Sequence, residues 1–246
     1  MTKTYRSKLL NEIEIRGLAE STKKSYIRAM ELFIEFHKGK SPAKLNIEDV
    51  KTYQGYLVKG KKLGPHTVNK EISAIRFFYR NILNRAWYDK AIPRMKAKRK
   101  LPIVLTQEEV MSMINVVENI FWKALIMLMY STGLRQGEVR KLKKGDIDSK
   151  RMVIHVRDGK GGKGRQALLS PKVLKCLRQY WRERRLNNPV ESDYLFIPTK
   201  NSHSGKLAKK LSHTAVGYIV ARVAKLAGIK KKFTHIFCVT PLQLIF

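Results

Sequence analysis

Apolar residues recur at helical spacing along most of this chain, and that period decides most of what it can fold into. Tyr26, Met30, Phe33 and Ile34 fall on one face of a helix that Ser21 or Thr22 is placed to cap. Gly39-Lys-Ser-Pro42 interrupts it. Asn46 then has the chemistry of an N-cap, with Asp49 in the first turn and Val50, Tyr53 and Leu57 on one side. Gly60-Lys-Lys-Leu-Gly-Pro65 reads as a turn, and Val68, Ile72, Ile75, Phe78 and Ile82 make the next stripe. Aromatic residues at this period are core residues before they are platforms for stacked bases.

The second half keeps the helical period with one exception. Thr106-Gln-Glu-Glu109 is a capping box, in which hydroxyl and carboxylate satisfy each other's free backbone N–H groups. Its helix runs through Val110 and Ile114. A second carries Trp122, Leu125, Ile126 and Met129 and stops at Gly133. Residues 151–156 and 165–169 alternate instead, around a glycine-rich turn, which predicts a β-hairpin. Pro171 opens a helix with Val173, Leu174, Leu177 and Trp181, and a last helix spans about 214–227 before Gly228. The expected fold is mainly α with a small antiparallel β-sheet.

Between the halves, Pro93-Arg-Met-Lys-Ala-Lys-Arg-Lys100 has no apolar period and reads as a basic linker, giving domains at 1–92 and 101–246 joined by 93–100. Lys96, Lys98, Arg99 and Lys100 are placed to track phosphates. The chain has 51 Lys and Arg against 19 Asp and Glu, a net charge of +32. Residues 1–100 hold 24 basic and 9 acidic groups, and the remainder 27 and 10, so both halves are basic, at +15 and +17. Charge of that size on a folded chain calls for a polyanionic partner, though it does not separate duplex DNA from RNA. Cys176 and Cys238 lie far apart and make neither a disulfide framework nor a zinc pair, so a reduced chain is expected. With no apolar signal core and no membrane-length apolar run, the expected setting is the cytoplasm.

Two segments carry the chemistry. In Ser131-Thr-Gly-Leu-Arg-Gln-Gly-Glu138, Arg135 starts a helix where backbone N–H dipoles favour an anion. In Asp158-Gly-Lys-Gly-Gly-Lys-Gly-Arg165, the hairpin turn carries Lys160, Lys163 and Arg165. It is no nucleotide P-loop, since Arg165-Gln166 stands where Lys-Ser/Thr belongs. Together and in this order the segments resemble the tyrosine recombinases of the phage integrase family. Their first box reads Thr-Gly-Leu-Arg-x-(Ser/Gly)-Glu followed by Leu-x-x-x-Asp-Ile, matched here at 132–138 and 142–147. Their Gly-Lys-Gly-x-Lys-x-Arg turn is matched at 159–165. The helical first ninety residues resemble the family's core-binding (SAM-like) domain.

That resemblance implies an α/β catalytic domain after the core-binding domain. Strands of duplex DNA would be cut and rejoined through a 3′-phosphotyrosine by protomers that assemble as tetramers, without metal or cofactor. Arg135 would neutralise the scissile phosphate, Lys160 would protonate the leaving 5′ oxygen, Glu138 would orient the site, and His235 would match the histidine of the His-x-x-Arg box. Lys163 and Arg165 would hold DNA.

The match then breaks. Cys238 stands where the second arginine belongs, and no tyrosine follows His235; Tyr218, the last, lies before it, in a helix expected to be packed. The family usually continues His-x-Leu-Arg-His-Ser-Phe-Ala-Thr-His, and a shift of reading frame in suitable codons turns the tail after His235 into that string. The chain is therefore expected to be C-terminally truncated by a frameshift, inactive alone, and monomeric or weakly associating. The alternatives are a non-catalytic DNA-binding remnant that competes at recombination sites and a basic RNA-associated protein.

Overall fold

A computed structural model describes residues 2–87, 91–97, 103–157, 164–187, 192–198 and 210–231. The chain divides into two compact units, Met1–Lys100 and Leu101–Phe246. Among the described residues the fold is mostly helical, with one three-stranded antiparallel sheet.

In the first unit the helices are α1 (Lys3–Ile15), α2 (Glu20–Phe36), α3 (Ile47–Gly55) and α4 (Pro65–Asn81). The predicted stripes face inward: Met30, Phe33, Val50, Tyr53, Val68, Ile75 and Phe78 are all buried. Phe33 and Tyr53 meet edge to face with ring centroids 5.2 Å apart. Burying one such ring is worth about 1.5–3 kcal/mol, so these aromatics are held by the core, as their period indicated. Asn46 caps α3 as expected: its side chain accepts from the backbone N–H of Glu48 and Asp49, and the Asp49 carboxylate returns a bond to the Asn46 N–H.

Three readings in this unit need correction. Neither Ser21 nor Thr22 caps α2; both lie inside it, and Ala19 holds the cap position without a side-chain bond. Gly17, at φ +60°, follows the end of α1, and α2 begins at Glu20. The turn expected from Gly60 begins late, because α3 runs on into a π-helical turn over Tyr56–Gly60. The basic segment from Pro93 is no free connector in its first part. The Asn69 amide both donates to the Met95 carbonyl and accepts from the Met95 N–H, each at 2.9 Å, and Gln54 donates to the Pro93 carbonyl.

The second unit contains α5 (Gln107–Val116), α6 (Ile120–Thr132), the short α7 (Gln136–Val139), strands β1 (Ile147–Asp148), β2 (Val153–Val156) and β3 (Arg165–Leu168), then α8 (Pro171–Asn187) and α9 (His213–Leu226). The Thr106–Glu109 capping box forms, and Gly133 ends α6 in the left-handed region at φ +61°. α6 is the central helix: Phe121, Ala124, Leu125, Ile126, Leu128 and Met129 are buried.

The sheet order is β1-β2-β3, with Ile147 opposite Ile154 and Val156 opposite Arg165. β1 was not expected, and β2 starts two residues late. Both differences come from Asp148, whose carboxylate accepts from the N–H groups of Lys150 and Arg151 and folds residues 148–152 into a turn, with Met152 at φ +55°. The helix that carries Tyr218 is packed, as expected, although Tyr218 itself is not. α9 packs through Val216, Ile219, Val220, Val223 and Ala224, whereas Tyr218 stands on its outer face, 65% exposed. No helix among the described residues is long and apolar enough to cross a membrane.

Candidate functional site

The C-terminus of α6 aims the site. Gly133 stops the helix, Leu134 anchors the next residue in the core, and Arg135 takes the N-cap position of α7 in extended conformation. Its guanidinium therefore leaves the core just where the backbone turns.

Glu138 supplies the geometry. Its side chain is 5% exposed and is held by two arginines. Oε2 accepts from the Arg135 backbone N–H at 2.8 Å and from Arg165 Nη2 at 2.8 Å, and Oε1 accepts from Arg135 Nη1 at 3.0 Å. A buried carboxylate is tolerated only when paired and hydrogen-bonded, and these three donors meet that need. Two guanidinium groups from separate elements, the start of α7 and the start of β3, are thereby held against one carboxylate. The local charge is one excess positive, on side chains still 53% and 35% exposed for Arg135 and Arg165. Such a cluster is built to receive an anion with several oxygens, because arginine presents paired donors in a fixed fork.

A second pair lies beside it. Asp146, in the 3₁₀ turn Lys144–Asp146, is 4% exposed; its Oδ2 accepts from the Lys143 N–H at 2.8 Å and its Oδ1 from Arg157 Nε at 2.6 Å. Glu138, Asp146, His155 and Arg157, with Lys141 and Lys143, line a cavity of about 120 Å³. No group of three or more metal-ligating side chains occurs among the described residues.

Of the residues singled out in the sequence, Arg135, Glu138 and Arg165 come together. Lys96 is exposed in the first unit. Lys98, Arg99, Lys100, Lys160, Lys163 and His235 lie outside the described residues. Sequence reasoning missed Arg157: its tie to Asp146 crosses the sheet, and only the strand register could have revealed it.

Comparison with known proteins bears on the same segments. Residues 5–89 match the phage integrase N-terminal SAM-like domain, and residues 103–237 match the phage integrase family. Over 244 residues the chain is 36% identical to the protein named integrase/recombinase y4qK of Sinorhizobium fredii, covering 97% of this chain and 75% of that one. It is 30% identical over 249 residues to the tyrosine recombinase XerA of Pyrococcus furiosus, covering 98% and 79%. The match to y4eF of Sinorhizobium fredii, 44% identical, covers 56% of this chain and 55% of that protein. Among solved structures, the fold is shared with the XerH recombinase bound to its difH substrate (TM-score 0.67, 20% identity, 94% of this chain and 71% of that one). It is also shared with a lambda integrase dimer bound to a core site (TM-score 0.64, 16% identity, 94% and 80%).

Proposed function

The chain belongs to the phage integrase family of tyrosine recombinases, and from that premise we propose that it grips the sugar–phosphate backbone of duplex DNA, with Arg135 on the phosphate at which its relatives cut. The observation that carries this reading is the Glu138 carboxylate, which fixes Arg135 and Arg165 side by side. Preorganised donors aimed at a phosphate act where charge builds in a pentacoordinate transition state. Glu138 is then a positioning residue, and Arg165 completes the clamp. Lys160 is assigned the proton for the departing 5′ oxygen, a role that a flexible ammonium suits, and His235 the histidine of the second box. Lys96, Lys98, Arg99, Lys100 and Lys163 add phosphate contacts, in line with the net charge of +32. The DNA-bound forms of XerH and lambda integrase, among them a lambda integrase tetramer on a Holliday junction, support duplex DNA as the partner.

A polypeptide of these 246 residues is proposed to bind without cutting. Strand cleavage in the family needs a tyrosine nucleophile and a second arginine, and the residues from His235 onward supply neither. It then occupies recombination sites as a monomer or weak oligomer. The codons are proposed to carry the reason. Residues 236–245 written ATT TTT TGC GTC ACT CCT TTG CAA CTC ATT become, with two T removed from the first run of T, Ile-Leu-Arg-His-Ser-Phe-Ala-Thr-His directly after His235. Codons in the gene that do not permit this string refute the frameshift.

The binding proposal is tested with a nicked duplex that traps any covalent intermediate. The expected result is a retarded complex, no covalent adduct, and log K falling with log salt by about 0.9 per phosphate neutralised. A covalent adduct formed by this polypeptide alone refutes the inactivity. A flat salt response, or preference for structured RNA over duplex DNA in competition, refutes the DNA reading.

A further inference from the structure

We propose that Arg157 is a third phosphate-gripping arginine of this site, presented by the buried carboxylate of Asp146. The inference rests on the DNA reading above and extends it to residues which that reading leaves without a role.

The argument is a repeated arrangement. Glu138 and Asp146 each have side chains 5% exposed. One oxygen of each accepts the backbone N–H three residues earlier, that of Arg135 and that of Lys143, at 2.8 Å in both cases. The other oxygen of each accepts from a guanidinium that is mostly in solvent: Arg135, 53% exposed, and Arg157, 70% exposed. Both carboxylates line the same 120 Å³ cavity, together with Arg157 itself. A solvent-exposed ion pair is normally worth little, and a buried carboxylate is expensive to place. Burying the acid while its partner stays outside serves orientation more than stability: it holds a charged fork at one angle.

The engaged atom also matters. Arg157 spends Nε on Asp146, so with the side chain exposed its Nη1 and Nη2 protons face solvent, a pair of parallel donors that matches two oxygens of a phosphate. Arg157 directly follows β2, and Val156 beside it is paired with Arg165 across the strands. Arg165 opens β3, and each of the two arginines is thus tied to a carboxylate of the segment that follows α6.

The salt dependence of duplex binding tests this, measured on the full chain with Arg135→Gln as the benchmark. Arg157→Gln is expected to lower the slope of log K against log salt by about 0.9, whatever the duplex sequence, which is about 3.5-fold less loss of affinity over a fourfold rise in salt. Arg157→Lys should restore the slope, because the charge returns. Asp146→Asn separates positioning from charge counting. It raises the net charge by one, so unoriented electrostatics predicts tighter binding, whereas loss of the bracket predicts weaker binding with a shallower slope. Since Asp146 is buried, its variant is checked by melting first, and Arg157→Gln, on an exposed side chain, carries the test if Asp146→Asn does not fold. An unchanged slope for Arg157→Gln while Arg135→Gln loses one phosphate overturns this inference and leaves the DNA reading standing. A flat titration for the unsubstituted chain ends both.

Discussion

Replacing Glu138 with glutamine removes one oxygen acceptor and one negative charge from beneath two arginines at nearly constant volume. If the remaining oxygen takes the place of Oε2, it keeps the Arg135 N–H and Arg165 Nη2, and the new amide NH₂ then points at Arg135 Nη1, donor against donor. A hydrogen bond to a charged group contributes about 1.5–3 kcal/mol, and breaking a buried pair from one side costs about 3–5 kcal/mol. Both guanidinium groups are partly in water, which screens the loss, so the expected destabilisation of the second unit is about 2–3 kcal/mol. For a unit of this size that corresponds to a fall in Tm of roughly 4–12 °C. Urea unfolding of Glu138→Gln, Arg165→Gln and the double variant measures it, and the cycle should show a coupling of about 0.5–3 kcal/mol between the two positions. DNA affinity should fall as well, although the variant is more basic. A loss below about 0.5 kcal/mol with additive single variants would refute the claim that Glu138 is what holds the arginines.

Asn46→Ala should cost the first unit about 1 kcal/mol in denaturant unfolding, because α3 loses a capping box bonded in both directions; no change would mean that solvent satisfies those N–H groups equally well. Glu71 is half-buried with Oε2 unpartnered, and burial pushes its carboxyl above the usual range while Lys70 and Arg28 oppose the shift. Its ionised form therefore penalises folding above that raised value, and the penalty disappears as pH falls through it. Glu71→Gln should stabilise the chain by up to about 1 kcal/mol at pH 7, a gain that shrinks to nothing once the carboxyl is protonated in both states; a gain that grows on acidification contradicts the sign. Burial also raises the Cys176 thiol, against the pull of Lys123, so peptide mapping after iodoacetamide at pH 8 should find Cys176 unlabelled in the native chain and labelled in denaturant. Native labelling at the denatured rate would show that the α8 packing around it opens readily.

What the sequence disclosed and what it hid follow from the range of the interactions concerned. Stripes such as Val68, Ile72, Ile75 and Phe78 were readable because burial recurs with the helix period itself, and the Asn46 and Thr106 caps because both partners lie within three residues. Ser21 and Thr22 misled because a hydroxyl is only one way to begin a helix, and α2 begins after Ala19 with no side-chain cap. β1 is two residues long, too short to alternate, and exists because β2 folds back on it. Tyr218 shares a helix with a buried stripe without belonging to it, and the Pro93–Met95 stretch is tied down by two amide side chains that no apolar period reports.

The site divides along the same line, and the division has an electrostatic reason. Arg135 and Glu138 are three residues apart and could be read locally, whereas Arg165 reaches Glu138 from 27 residues away and Arg157 reaches Asp146 from 11. In a chain with 51 basic and 19 acidic residues, collecting arginines at one place opposes the average field. Two unit charges about 6 Å apart repel by about 3 kcal/mol at an effective dielectric near 20. Left alone, Arg135 and Arg165 would turn apart into water. A carboxylate on the surface would do little to prevent it, since water and salt would screen it and its own rotamers would blur the geometry. A buried one is barely screened and is fixed by the packing around it. Glu138 and Asp146 are the buried carboxylates among the described residues, and both lie under these arginines. These two buried carboxylates thus let positive charge be concentrated at one place, which the proposed phosphate grip requires and a merely soluble basic surface does not.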